Sequence, residues 1–313
     1  MSSGENTQAF AATVIQQRGD WLVKELSKLK RHPGEESIHD TRVQSRRMRA
    51  ALEAFQDLFP PRPWQDLYKS IRQITRALGE TRETEVLLGL LEELTTGGDL
   101  GENLCRENLD EKLRKRLKKL KRGLNGNLRQ IELRVLRSRI RHLLARPKAA
   151  AKGQVQRVEC VPGPVKDSDL TNNLNRARNI LSDLAQPMVE FPIRFFPRAS
   201  DQRLHKLRIT AKKLRYAMEI FDVLWPGGLK DEIALARALQ DAAGTHQDWS
   251  VLKLFLRKEI RRLTAGNKPY LASQTRRLLT TAEGRKGELR KAILPAFIEL
   301  QAALRSIPGK GEK

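Results

Sequence analysis

Cysteine is scarce: the 313 residues include only Cys105 and Cys160, with no Cys-x-x-Cys spacing. Neither a disulfide framework nor a zinc site is indicated, and a reducing, cytoplasmic setting fits. Aromatic residues amount to 5 %. Proteins that hold single-stranded nucleic acid offer exposed rings on which bases stack. Their scarcity points to a ligand that carries charge but no bases. Long apolar runs are missing as well. The leucine-rich stretch at 86–94 is broken by Glu92 and Glu93 and is too short to span a bilayer, so no membrane partner is expected. The opening Met1-Ser2-Ser3-Gly4-Glu5-Asn6 lacks a basic start followed by an apolar stretch, so no signal peptide is expected. There is no Walker-type loop, no His-Glu-x-x-His and no Gly-x-Ser-x-Gly. No two carboxylates have the arrangement that general acid and base work needs. The expectation is a chain without catalytic residues, metal or cofactor.

Acidic residues are also in deficit, 37 against 60 Lys plus Arg, for a net charge of +23. A compact chain this basic favours a polyanionic partner that neutralises it, such as nucleic acid, an anionic membrane surface or polyphosphate. Apolar residues make up 39 %, enough for a globular fold with a sizeable core.

What the chain has in abundance is one helix written twice. His39-Asp40-Thr41-Arg42-Val43-Gln44-Ser45-Arg46-Arg47-Met48-Arg49 returns, 166 residues later, as His205-Lys206-Leu207-Arg208-Ile209-Thr210-Ala211-Lys212-Lys213-Leu214-Arg215. Each copy places a histidine and three cations at i, i+3, i+7 and i+10. At 3.6 residues per turn these fall within an arc of about 80°, and the stripe extends ~15 Å along the axis. The opposite faces carry Met48, Leu52, Phe55 and Phe59 in one copy and Leu214, Met218, Phe221 and Trp225 in the other. Each helix therefore has an apolar face to bury and a cationic stripe to present. A run of charge on a helix is usually its solvated face. Retention of the His and cations in phase across two copies favours a binding role.

Helical periodicity dominates, and strand alternation is absent. Helices are expected at 7–31, 35–58, 63–79, 82–96 and 102–145, then at 170–187, 201–224, 229–243, 248–264 and 270–306. The repeat continues through Leu78-Gly79-Glu80-Thr81-Arg82-Glu83 and Ala243-Gly244-Thr245-His246-Gln247-Asp248, at an offset of 165 that also brings Arg72 onto Arg237. These glycines are expected to end a helix, with Asp248, and Thr81 or Glu83, capping the next. Ser200 is the expected N-cap ahead of His205. Leu113, Leu117, Leu120, Leu124 and Leu128 form a bundle-type seam. The resulting expectation is an all-α fold of two helical bundles, of four-helix type, related by an internal pseudo-twofold, with a basic central groove or channel. Residues 1–150 form the first bundle, 151–169 a Pro- and Gly-bearing linker and 170–313 the second.

Arg forks suit phosphate oxygens, and Lys supplies a point charge. A ~15 Å stripe suits a chain of anionic groups better than one small anion. His39 and His205 have no carboxylate placed to orient them for catalysis, so a hydrogen bond to phosphate or a structural one is expected. The basic run Arg114–Arg122 reads as the solvated coating of a long helix, although Lys118 and Arg122 could extend a groove. His32, His142 and His246 read as isolated surface or packing residues.

The pair His-x-x-Arg-x-x-x-Arg-Arg-x-Arg and His-x-x-Arg-x-x-x-Lys-Lys-x-Arg-Tyr-x-x-Glu-x-Phe resembles the CHAD domain, named for its histidines and all-helical fold. The resemblance runs from about residue 7 to residue 306. It implies two four-helix bundles with internal symmetry around a basic cavity that binds inorganic polyphosphate, without catalysis. It also implies a location at polyphosphate granules and granule proteins as partners. Carried over, the ligand residues are His39, Arg42, Arg46, Arg49, His205, Arg208, Lys212 and Arg215, joined by Arg72 and Arg237 from their equivalent positions. Glu83 stands where Asp is more usual. The Glu-x-Glu-x-Lys signature of a fused triphosphatase is absent. The rival reading is a nucleic-acid-binding protein using the same surface.

Overall fold

The structure, a computed structural model, describes residues 3–95, 100–130, 132–145 and 167–306. Among these there is no strand, as the periodicity required. The helices are α1 (Ser3–Arg31), α2 (Glu35–Ala54), α3 (Pro61–Thr95), α4 (Leu100–Gln130), α5 (Leu133–Leu144), α6 (Asp167–Val189), α7 (Asp201–Phe221), α8 (Lys230–Ala265) and α9 (Pro269–Arg305). The two His/Arg helices end alike. A short 3-10 turn, Gln56–Leu58, follows α2, and another, Asp222–Leu224, follows α7. Ser200 caps α7 as expected, its side chain accepting from the Arg203 amide. On α2 the N-cap is Gly34, and Ser37 supplies the missing side chain by accepting from the Gly34 amide at 2.9 Å.

Several boundaries differ from expectation. Gly79 and Gly244 end nothing: α3 and α8 run straight through them. A glycine inside a helix costs about 1 kcal/mol relative to alanine. Burial on both sides of each glycine exceeds that, with Leu78 and Thr81 buried around one and Ala243 and His246 around the other. Thr81, Glu83 and Asp248 are therefore mid-helix residues and cap nothing. The closing helix of the first half divides into α4 and α5, with Glu132 as the N-cap of α5. Finally, α6 begins at Asp167, inside the expected linker 151–169, and residues 146–166, Cys160 included, lie outside the described residues.

The apolar interior forms two clusters, and each draws on both halves of the sequence. The larger joins residues of α1, α2, α3 and α5 to residues of α6, α7, α8 and α9. The smaller joins Leu87 and Leu91 of α3 and Leu109 and Leu113 of α4 to Trp249 and Leu252 of α8 and Leu278 of α9. The leucine seam of α4 serves both: Leu113 faces the smaller cluster, Leu124 and Leu128 the larger. Leu117 and Leu120 between them are only partly buried. Helix α5 docks closely on α1 because Gly19 has no side chain. A Cβ there would lie 2.7 Å from Ile140 Cδ1. At the end of α6, Gln301 of α9 donates to the carbonyls of Met188, Val189 and Phe191 at 2.8–3.1 Å, satisfying groups the helix cannot pair itself.

Candidate functional site

Helix α2 packs on α7, and the contacts climb both helices together. Near one end Arg42 and Arg208 act on each other electrostatically. Further along, Arg47 Nε donates to Glu219 at 2.9 Å. At the far end Phe55 meets Phe221 edge to face with ring centroids 5.8 Å apart, and Phe10 of α1 closes the trio. The two helices thus lie side by side in the same direction. Their apolar faces are buried: Met48, Leu52, Phe55, Leu214, Met218 and Phe221 are all fully covered and Phe59 nearly so, while Trp225 is partly buried against the same core. Burial of these faces fixes each helix about its axis, and both cationic stripes turn to one side.

The stripes consequently converge. Lys212 is surrounded by Arg46, Arg208, Arg42 and Arg49, and burial together with these cations pulls its pKa down to about 8. Arg42 is lowered to about 10 by burial first, then by Arg46 and Arg208. Arg46 is lowered by burial, with the Tyr216 hydroxyl acting the other way. The Nε atoms of Arg42, Arg46, Arg49 and Arg208 are buried without a hydrogen-bond partner. Buried donors of this kind are rare and call for an explanation.

The six stripe cations divide into two kinds. Arg49 and Arg215 are braced. Arg49 donates to the Tyr68 hydroxyl at 2.8 Å, lies over that ring and reaches Glu53. Arg215 is buried, donates to Glu219 at 2.5 Å and to Gln240 at 3.1 Å, and lies over Tyr216. Arg42, Arg46, Arg208 and Lys212 form no ion pair within 4 Å among the described residues. A compensating carboxylate is Asp248 of α8, which acts on Arg42 and whose electrostatic neighbours are Arg208, Arg42, Arg82 and Glu83. Burial dominates over these cations and raises the Asp248 pKa.

The histidines stand at the early end of each stripe. His39 is exposed, and its pKa is lowered by partial burial and then by Arg82. His205 is partly buried with Nδ1 3.0 Å from Gln247 Oε1, so one ring nitrogen is committed to a structural hydrogen bond. Arg72 and Arg237 are exposed on α3 and α8. Arg72 lies one turn from Tyr68 and three residues before Thr75, which contact Arg49 and Ser45 of α2. Arg237 lies three residues before Gln240. Each therefore shares the helix face turned toward a stripe. Neither is among the leading charges acting on Arg42, Arg46 or Lys212.

Sequence reasoning missed the framework that holds the stripes. Glu219 accepts from both Arg47 and Arg215 and so ties α2 to α7. Its spacing four residues after Arg215 was a usable signal. Arg82 of α3, paired with Glu35, adds a cation beside His39 and Arg42. Nothing in its local pattern points there. Gly244 takes on a new role, since a Cβ at that position would lie 3.6 Å from Arg208 Nε.

The other features named from sequence are structural. His246 is buried, with Nε2 3.8 Å from Asp201, and burial together with Lys286 lowers its pKa to about 4. The basic run of α4 is exposed and largely paired with carboxylates, as in Arg114 with Asp110 and Lys115 with Glu111. Lys121, in the same run, reaches the buried carboxylate of Glu85 at 3.0 Å. A cleft of about 490 Å³, lined mainly by α3 and α4, carries five carboxylates against three cations, so it is not the place for a polyanion. Among the described residues no group of three or more His, Cys, Asp or Glu could hold a metal ion, and no helix is long and apolar enough to cross a membrane.

The fold and its converging stripes define an all-α protein built on a repeated His/Arg helix. The chain belongs to the CHAD domain family, whose model matches residues 13–257. Two solved structures share its fold. The CHAD domain from the plant Ricinus communis aligns with a TM-score of 0.63 at 19 % identity, covering 97 % of this chain and 92 % of that one. PptA from Streptomyces chartreusis aligns with a TM-score of 0.58 at 16 % identity, covering 95 % of this chain and 100 % of that one. No curated protein matches the chain by sequence.

Proposed function

We propose that this protein binds inorganic polyphosphate between α2 and α7, without catalysing its turnover. One observation carries the reading. Four partly buried cations from two distant stretches of sequence, Arg42, Arg46, Arg208 and Lys212, meet with no ion pair of their own and with three of their Nε atoms unpaired. Gathering like charges in a partly desolvated place costs stability, and a polyanion offsets that cost. Arg forks read phosphate oxygens, Lys212 supplies a movable charge, and His39, Arg72 and Arg237 line the approaches. Arg49 and Arg215, braced by Glu53 and Glu219, set the shape of the site.

Family resemblance adds the setting: cytoplasmic, at polyphosphate granules, with granule proteins as partners. The repeat organisation proposed with it is a first unit in 1–150, a linker in 151–169 and a second unit in 170–313.

The test is competition among long-chain polyphosphate, duplex DNA and single-stranded RNA over a salt series, with the variant Arg42→Ala/Arg46→Ala/Arg208→Ala/Lys212→Ala alongside. Preference for polyphosphate persisting at physiological salt, and lost in the folded variant, is the expected result. Equal competition by all three, collapsing together as salt rises, would assign a generic basic surface and favour nucleic acid. Undiminished polyphosphate binding by the variant would remove the residue assignment.

A further inference from the structure

Outside the cluster, the two halves differ most instructively on the outward face of their long third helices. Helix α3 commits three of its sides. Leu67, Ile71, Ile74 and Leu78 are buried in the core. Tyr68 and Thr75 contact α2, at Arg49 and Ser45. Ser70 accepts from Arg139 of α5. At 100° per residue the remaining arc holds Arg62, Lys69, Arg72 and Arg76, all exposed. Passing around this arc from the α2 side, Arg72 comes first, then Arg76 and Lys69, and Ser70 with its bound Arg139 lies beyond. Helix α5 adds the exposed Arg139 on this side; its other exposed arginines, Arg134, Arg137 and Arg141, lie about 140–160° around the helix from it. Asp66, Glu80 and Glu83 are the acidic residues on the α3 arc.

The second half serves as an internal control. At the offset of 165 the same arc on α8 is equally exposed, but its residues have changed. Lys69 becomes Ala234 and Arg76 becomes Asp241, while Arg72 is kept as Arg237; Arg62 falls on Gly227, in the turn before α8 begins. The α3 arc, from 62 to 80, carries four cations against two carboxylates. The α8 arc, from 230 to 245, carries Lys230 and Arg237 against Asp231 and Asp241 and is neutral. The excess of cations is confined to the first half, so an extension of the cluster along this face is one-sided.

Resting on the reading of the cluster as a polyphosphate site, we infer that the outer face of α3 with α5 is a second binding surface. It holds the part of a long polyphosphate chain that leaves the cluster on the first-half side. The site is thus one-sided. Short chains are bound by the cluster alone, and long chains gain the contacts of Lys69, Arg76 and Arg139. Arg72, at the boundary between the two surfaces, serves both.

The experiment compares tripolyphosphate with long-chain polyphosphate on the full chain and on Lys69→Ala/Arg76→Asp, which writes the second half's residues into the first. Long-chain affinity is expected to fall about tenfold and its salt slope by about two, while tripolyphosphate affinity stays the same, which also shows that the variant is folded. The reciprocal variant Ala234→Lys/Asp241→Arg is expected to strengthen long-chain binding only. Unchanged long-chain affinity, or an equal loss for long and short chains, would overturn the inference while leaving the cluster reading in place. Loss of duplex DNA affinity with long-chain polyphosphate unaffected would overturn it by assigning the surface to nucleic acid. A full chain that binds neither polyphosphate at physiological salt would remove the cluster reading and this extension together.

Discussion

Lys212 shows how far one residue's chemistry is set by its neighbours. Alone on a helix it would be an ordinary lysine near 10.5. Here burial and four arginines bring it to about 8. The folded state therefore disfavours the charged form. Below pH 8 the ammonium persists in both folded and unfolded chains, and its full destabilising cost is present. Between 8 and 10.5 the unfolded chain holds the proton that the folded chain has released, so this group makes stability rise with pH across that window. Polyphosphate bound as proposed would reverse the preference by favouring the ammonium. Its affinity is expected to decline as pH rises through about 8, with proton uptake on binding that calorimetry in buffers of different ionisation enthalpy would detect. Lys212→Arg is expected to abolish that decline, because guanidinium keeps its charge. A decline that persists in Lys212→Arg would place the titrating group elsewhere.

At the scale of the element, the glycines inside α3 and α8 show what a local rule misses. Gly is the strongest punctuation in a sequence, and Gly79 and Gly244 stand at equivalent places before acidic residues. Helix ends were the natural expectation. Packing overrode it, since a 35-residue α3 and a 36-residue α8 gain more from continuous buried faces than two glycines cost. At Gly244 the absence of a side chain leaves room for Arg208 alongside α8. A methyl there would sit at 3.6 Å, an ordinary contact. Gly244→Ala is expected to raise stability by about 1 kcal/mol in urea denaturation with polyphosphate affinity kept. Gly244→Leu is expected to displace Arg208 and lower that affinity several-fold. Equal binding by the Leu variant would show that the space beside Arg208 is not needed.

For the whole molecule, the decisive feature is that the repeats bind each other before they bind anything else. Phe55 packs on its own equivalent, Phe221, and Glu219 pairs with an arginine from each half. Both apolar clusters mix residues of the two halves. Loss of Glu219 leaves Arg215, almost fully buried, without its carboxylate. Glu219→Ala is expected to cost about 2 kcal/mol, measured by denaturant unfolding. Because Glu219 ties α2 to α7, the same variant is expected to weaken polyphosphate binding without removing any cation of the cluster. A stable variant with unaltered affinity would show that the clamp does not shape the site.

The sequence by itself determined the helical class, the repeat and the identity of the cations. These depend on periodicities of 3.6 residues and on side-chain type, which are local properties. Tertiary structure alone decided that the stripes converge, because that depends on how two apolar faces 166 residues apart dock. It decided which stripe cations are braced and which are unpaired, through Tyr68, Gln240 and Glu219. It also brought Arg82 and Asp248 to the site from helices that sequence reasoning had broken at a glycine. The physical reason is the same in each case. Burial acts on whole faces and sums over many distant contacts, so it can outweigh any preference that one residue expresses toward its chain neighbours.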